Sequence, residues 1–107
     1  MTYKRTDDTH TEIVATLRLL GCSVVSLASI GRGCPDIACA IQGKTYLIEI
    51  KNGSKKWKLE PDQKEFILNW KAEILILESV DDAHDFVASV RTNKFLAYMG
   101  RKFQRVE

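Results

Sequence analysis

The stretch GCPDIACAIQGKTYLIEIK, residues 33–51, decides the fold of this chain. Two short apolar segments, residues 35–41 and 44–50, flank the dipeptide Gln42-Gly43. The glycine can adopt the positive φ that a two-residue turn requires. The pattern therefore predicts an antiparallel β-hairpin with its turn at these two residues.

The turn determines which residues of the predicted hairpin face each other. With Gln42 and Gly43 at the turn, Asp36 lies directly opposite Glu49. Opposed β-carbons are about 4.5 to 5.5 Å apart, and like charges at that separation destabilise a sheet unless something compensates them. A divalent cation is the natural compensation, because hard cations take carboxylate oxygens as ligands. The alternatives are an ordinary polar sheet edge, or a bulge that shifts the register.

Lys51 follows Glu49 by two positions, so the alternation of a strand places its side chain on the same face. There its amine could orient or deprotonate a water molecule and offset charge that grows on a phosphate. The opposite face of the hairpin is almost wholly apolar and is expected to pack against a helix, which would leave the charged face open. That apolar face comprises Ile37, Cys39, Ile41, Tyr46, Ile48 and Ile50.

Helical and strand patterns continue on both sides of the hairpin. Thr9 and Glu12 have the spacing of a capping box, which predicts a first helix over residues 9–20. A Val-rich strand is expected over residues 22–27, and a glycine-bearing loop leads from it into the hairpin.

Beyond the hairpin, Pro61 suits the first position of a second helix, in which Gln63, Phe66, Ile67 and Trp70 share one face. An apolar strand is expected over residues 72–78. Ser79 and Asp82 then form a capping pair at the start of a third helix, over residues 79–90. The segment from residue 92 onward fits a helix, an edge strand or a tail.

Length and composition indicate one domain. The 107 residues, 45% hydrophobic and 28% charged, match a single globular unit spanning residues 1–107. A chain of this size buries a modest core, so pairing with a second copy would help to stabilise it. The apolar stretches are shorter than a membrane span, and the N-terminus has no signal-peptide core, which predicts a protein that stays in the cytoplasm.

Three cysteines occur, at positions 22, 34 and 39, without the spacing of a zinc site and in an odd number. Neither a disulfide framework nor a zinc site is therefore expected, and the cysteines are interpreted as small apolar side chains of the interior.

The net charge is only +2, but basic residues are concentrated near the hairpin. Lys55, Lys56 and Lys58 surround Trp57 in the loop after the second strand of the hairpin, and Arg32 precedes the hairpin. Such residues can contact phosphates while the aromatic ring stacks on a base, which would make this a DNA-binding surface. Solvated lysines and a packed tryptophan are the alternative.

Gly-Cys-Pro-Asp at 33–36, then Gly43 and Ile-Glu-Ile-Lys at 48–51, resemble the PD-(D/E)XK nuclease superfamily. More narrowly, the chain is similar to the stand-alone VRR-Nuc (virus-type replication and repair) branch, whose phage-encoded forms resemble Holliday junction resolvases. The resemblance covers about residues 9–90 and leaves 91–107 as a C-terminal extension.

The resemblance implies an α/β fold with a restriction-endonuclease-like αβββαβ core, in which a mixed central sheet is flanked by helices. It also implies a site that binds Mg²⁺ or Mn²⁺. The implied metal ligands are the carboxylates of Glu12, Asp36 and Glu49 and the backbone carbonyl of Ile50, and the implied catalytic lysine is Lys51.

Gln63 matches the glutamine of a Leu-x-Pro-x-Gln stretch, residues 59–63, and would point toward the site or the DNA. Glu60 departs from the Ser or Thr that usually caps this helix. The expected activity is cleavage of branched DNA by a homodimer, without an organic cofactor, in the host cytoplasm if phage-encoded. Flap, nicking or restriction-type cleavage, a silent DNA-binding module, and a subunit of a larger nuclease are the alternatives.

Overall fold

The computed structural model describes the backbone of residues 4–102 and the side chains of residues 4–100. Within this range there are eight elements: seven follow the predicted order, and a further helix comes at the end. They are α1 (Thr6–Leu19), β1 (Ser23–Ser26), β2 (Ile37–Ile41), β3 (Lys44–Ile50), α2 (Pro61–Asn69), β4 (Ile74–Leu77), α3 (Val80–Arg91) and α4 (Phe95–Lys102).

The four strands form one mixed sheet in the order β1-β2-β3-β4. The first three strands are antiparallel neighbours, and β4 returns parallel to β3 after the crossover through α2. Gln42 and Gly43 have φ of 50° and 79°, as in a tight two-residue turn, and Ile37 pairs with Ile48. The predicted α/β fold, the hairpin and its register are therefore confirmed.

Three helices cover one face of the sheet. The apolar side chains of β2 and β3 that were predicted to meet a helix contribute to a core shared with α1, α3 and α4. Ile13, Leu17, Phe86 and Tyr98 are nearly inaccessible in this core. On the other face lies α2, none of whose residues is fully buried. Of the helices in the described range, none is both long and apolar enough to cross a membrane.

Two predictions about the helices need correction or completion. The Thr9–Glu12 capping box is wrong: α1 begins at Thr6 after Arg5, and the Thr9 hydroxyl donates to the Arg5 carbonyl from inside the helix. Asp7 and Asp8 favour the earlier start because their charges suit a helix N-terminus. The undecided C-terminal extension forms α4, while its residues 103–107 lie outside the described part of the chain.

Candidate active site

Asp36 stands immediately before β2, at the end of the loop that carries Gly33. Its carbonyl accepts from Leu27 N–H at 2.9 Å, which ties the end of this loop to β1. Its side chain crosses to β3, where Oδ2 accepts a hydrogen bond of 2.7 Å from the backbone N–H of Ile50. This bond orients one carboxylate toward the neighbouring strand, beside Glu49.

Glu49 is on β3 and only 4% exposed. Burial and the negative charge of Asp36 raise the pKa of its carboxyl to about 7, while Lys51 acts in the opposite direction. Two carboxylates that resist simultaneous ionisation are a donor set that fits a hard divalent cation, because the cation would stabilise both charges. Asp36, Glu49 and the adjacent backbone of Ile50 are thus the residues that could hold Mg²⁺ or Mn²⁺.

Lys51 extends from the end of β3 on the same side as Glu49. Its Nζ donates to Gln63 Oε1 at 3.0 Å and lies 3.6 Å from Glu49 Oε2. The side chain is 15% exposed, so the ammonium is held near the carboxylates and largely screened from water. An amine in this position can contact a nucleophilic water or a phosphate oxygen bound at the carboxylates.

Gln63 connects the site to α2. Its Nε2 donates to Glu49 Oε2 at 2.8 Å, and its Oε1 accepts from Lys51 and, at 2.9 Å, from the backbone N–H of Glu60. Glu60 is thus the N-cap residue of α2, although it is not the Ser or Thr that usually occupies this position. The expectation that the charged face is open is wrong, since α2 lies over it and Gln63 reaches into it.

Glu12, the ligand on α1 that the resemblance implied, has its own polar partner. It forms an ion pair with Lys4, and both line a cleft that also contains Asn52 and Glu78. Among the described residues, no group of three or more His, Cys, Asp or Glu side chains is arranged to hold a metal. The structure therefore brings together Asp36, Glu49, Lys51 and Gln63, and leaves Glu12 as a proposed ligand.

The basic candidates lie on two loops. Arg32 has a left-handed φ of 56° and lines a groove with Phe66 and Trp70. Lys55, Lys56 and Lys58 are exposed, as a phosphate-contacting set requires. Trp57, in the same loop, is 37% exposed, and its indole makes a hydrogen bond within the protein.

Two residues that the sequence reasoning did not select lie beside the site. Glu78, at the end of β4, accepts a hydrogen bond from the Trp57 indole. Asn52 is 4% exposed and donates through Nδ2 to the carbonyl of Lys4. The only sequence signal for Asn52 is its place just after β3 and Lys51. Glu78 is too distant along the chain from the hairpin residues to be recognised.

The cysteines match their interpretation as interior side chains in two of three positions. Cys22 and Cys39 are buried, and all three thiols are free. Cys34 is half-buried, and burial together with the charges of Glu49 and Asp36 raises the pKa of its thiol. The thiol is therefore favoured over the thiolate beside the carboxylates.

Comparisons with known proteins bear on the fold. The chain is similar to a solved structure described as "VRR_NUC domain", with 19% sequence identity, a TM-score of 0.58, and coverage of 78% of this chain and 94% of that one. No protein-family model matches the chain, and no curated protein matches it. The likeness shows that the two chains share a fold, in agreement with the restriction-endonuclease-like core expected from the sequence.

The raised pKa of Glu49 predicts a pH-dependent stability. The pKa of its carboxyl is about 7 in the folded chain, against an ordinary value of 4.5. The folded state therefore favours the protonated carboxyl. The contribution of this group to folding stability is complete below pH 4.5 and is lost as the pH rises through 7. In the presence of a chelator, we expect Glu49→Gln to raise Tm at pH 8 and to reduce the fall in Tm between pH 5 and pH 8. Thermal unfolding at both pH values measures this.

The matched control for that experiment is Glu65→Gln, which removes an exposed carboxylate from α2. The control should follow the wild-type pH dependence. If Glu49→Gln also follows the wild type, the repulsion between Glu49 and Asp36 does not destabilise the folded chain.

Proposed function

We propose that this chain is a nuclease of the VRR-Nuc type that hydrolyses the phosphodiester backbone of DNA with Mg²⁺ or Mn²⁺. The observation that carries the proposal is the opposition of Asp36 and Glu49 across the hairpin, with Lys51 Nζ 3.6 Å from Glu49 Oε2. The shared fold with a structure described as a VRR_NUC domain supports it, because that description denotes a nuclease. Two carboxylates opposed across a hairpin would have little use in a protein that only binds DNA.

Each residue has a distinct task in this reaction. Asp36, Glu49 and the carbonyl of Ile50 would hold the metal, which supplies Lewis acidity and lowers the pKa of a bound water. Lys51 orients or deprotonates the attacking water and offsets the charge that develops on the phosphate. Gln63 keeps Glu49 and Lys51 in register through its two hydrogen bonds.

Glu12 is proposed as a further metal ligand, direct or through water. It would join the set only by releasing Lys4, with which it is paired. Because that pair is half-exposed, its disruption costs little, on the order of 1 kcal/mol or less. A cation held by Asp36 and Glu49 would attract the Glu12 carboxylate in place of the Lys4 ammonium.

The proposed substrate is branched DNA, cut by a homodimer with one active site in each subunit, in the cytoplasm. Arg32, Lys55, Lys56 and Lys58 are exposed on loops, and they would contact the phosphates of the DNA. Such contacts favour DNA of any sequence, which is what a structure-selective enzyme needs.

One assay tests the proposal. Purified protein is incubated with Mg²⁺ or Mn²⁺ and four-way junction, flap, linear duplex or supercoiled DNA, beside the variants Asp36→Ala and Lys51→Ala. We expect paired cuts in junctions by the wild type and none by either variant. Cutting that survives both substitutions would remove these residues from the active site.

The same assay distinguishes the alternatives. Cuts at flaps or nicks in place of junctions would identify a related nuclease with a different substrate. Binding of DNA without cutting by any form would indicate a silent module, or a subunit that needs a larger assembly. Light scattering of the protein alone measures whether the chain forms the expected dimer.

A further inference from the structure

Trp57 is held between Lys51 and Glu78. It belongs to the loop that joins β3 to α2, and its indole Nε1 donates a hydrogen bond of 2.6 Å to Glu78 Oε1. The Nζ of Lys51 lies over the face of the same ring, 5.9 Å from its centroid. The Lys51 ammonium therefore lies near the ring as well as near Gln63 and Glu49.

Glu78 is a well-fixed anchor for this ring. It directly follows β4, and its backbone N–H donates to Asp82 Oδ2 at 2.8 Å in the first turn of α3. Its carbonyl accepts from Gly53 N–H at 3.1 Å. The two backbones are so close here that a β-carbon on Gly53 would lie 2.9 Å from the β-carbon of Glu78.

We propose that Trp57, oriented by Glu78, is a positioning residue for Lys51, an inference that rests on the proposed nuclease function. The lysine side chain is a flexible four-carbon stem, and a cation attracted to an aromatic face loses part of that freedom. The hydrogen bond that the ammonium donates to Gln63 Oε1 restrains it, and the indole face attracts it in addition. Glu78 keeps the indole in place because it bonds the one polar atom of the ring.

This arrangement differs from a role of Trp57 in stacking on DNA bases. An indole whose N–H is bonded to Glu78 and one of whose faces lies near Lys51 offers a base less of its ring than an unbonded side chain would, although 37% of the residue is exposed. Removal of a positioning residue slows the chemical step, whereas removal of a base-stacking residue weakens DNA binding.

The test compares Trp57→Ala, Glu78→Ala and the double variant under single-turnover conditions, with DNA affinity measured separately in a chelator. We expect each single variant to slow cutting on the order of tenfold and the double variant to be no slower, since the two residues act as one unit. DNA affinity should stay within about twofold of wild type, because these variants keep the exposed lysines that are proposed to contact DNA phosphates. Glu78→Gln, which keeps the acceptor oxygen, should restore most of the rate.

Trp70→Phe is the matched control, because Trp70 is the other tryptophan and packs on Phe66 away from Lys51. It should cut at the wild-type rate. A Trp57→Ala variant that loses DNA affinity while Glu78→Ala behaves as wild type would overturn the inference in favour of DNA stacking. Equal cutting rates for all variants would also overturn it.

A measurement without DNA keeps this inference separate from the proposed function. In ¹H–¹⁵N spectra, Glu78→Ala should shift the indole N–H signal of Trp57 and leave that of Trp70 in place. Reductive methylation of Lys51 should be faster in Trp57→Ala than in wild type. An unmoved indole signal or an unchanged methylation rate would refute the positioning role even in a chain that cuts no DNA.

Discussion

Asp36→Asn is expected to lower metal-dependent cutting by more than about a hundredfold, since loss of even an outer partner of a metal ligand costs about 10- to 100-fold. The substitution removes one of the two opposed carboxylate charges and with it the electrostatic reason to bind a divalent cation. The amide oxygen of asparagine can still accept the hydrogen bond from Ile50 N–H, so the hairpin should keep its geometry.

Stability provides the second half of that expectation. The charge of Asp36 helps to raise the pKa of Glu49, so its removal should let Glu49 ionise at lower pH. In the variant, no second carboxylate repels the charge of Glu49 at neutral pH. We therefore expect Tm at pH 8 in a chelator to equal or exceed that of wild type. Activity and stability would move in opposite directions, as they do where a site is built from repelling groups.

Three measurements check this prediction: cutting rate, Tm, and Mn²⁺ affinity by titration calorimetry. Asp85→Asn, an exposed carboxylate on α3, is the matched control and should leave all three unchanged. Lower Tm together with lost activity would mean that Asp36 supports the fold, and an unchanged Mn²⁺ affinity would remove Asp36 from the metal site.

The hairpin shows which parts of this fold a sequence can specify. A two-residue turn and strict alternation fix the register, and the register alone brings Asp36 beside Glu49 and Lys51 onto the same face. These are local relations, encoded within 16 residues from Asp36 to Lys51. The same holds for Ser79, whose hydroxyl accepts from Asp82 N–H as predicted.

Prediction failed where two local signals competed or where the contact was distant. Thr9 and Glu12 have the spacing of a capping box, but the acidic pair Asp7 and Asp8 before them starts α1 earlier. The half-exposed α2 offered no strong pattern to show that it would close over the charged face. The bond from Trp57 to Glu78 joins residues separated by all of α2 and β4, and no spacing rule predicts it.

Gly33→Ala is expected to destabilise the fold by about 2 to 4 kcal/mol, the sum of a left-handed backbone position and an overpacked contact. Gly33 has φ of 77°, and a β-carbon there would lie 2.2 Å from the carbonyl oxygen of Asp62 and 2.8 Å from the backbone nitrogen of Gln63. Backbone atoms cannot rotate away as a flexible side chain would. The helix α2 or the loop before Asp36 must therefore move.

That movement should also impair the site, because Gln63 bonds Glu49 and Lys51 from the same first turn of α2. We expect Gly33→Ala to slow single-turnover cutting at a temperature where the variant is still folded, and urea unfolding measures its loss of stability. Gly31→Ala is the matched control: Gly31 has φ of 70°, but a β-carbon there would meet nothing within 4 Å.

Comparison of the two glycine variants thus separates the cost of a left-handed backbone conformation from the cost of a steric clash with α2. Gly31→Ala should cost about 1 kcal/mol, the penalty for a side chain in the left-handed region, and leave the cutting rate unchanged. The excess cost of Gly33→Ala over this control measures the close approach of the loop to α2. If both variants lose the same stability, the loop and α2 are not in contact, and the enclosure of Lys51 by Gln63 must be maintained by the hydrogen bonds of Gln63 alone.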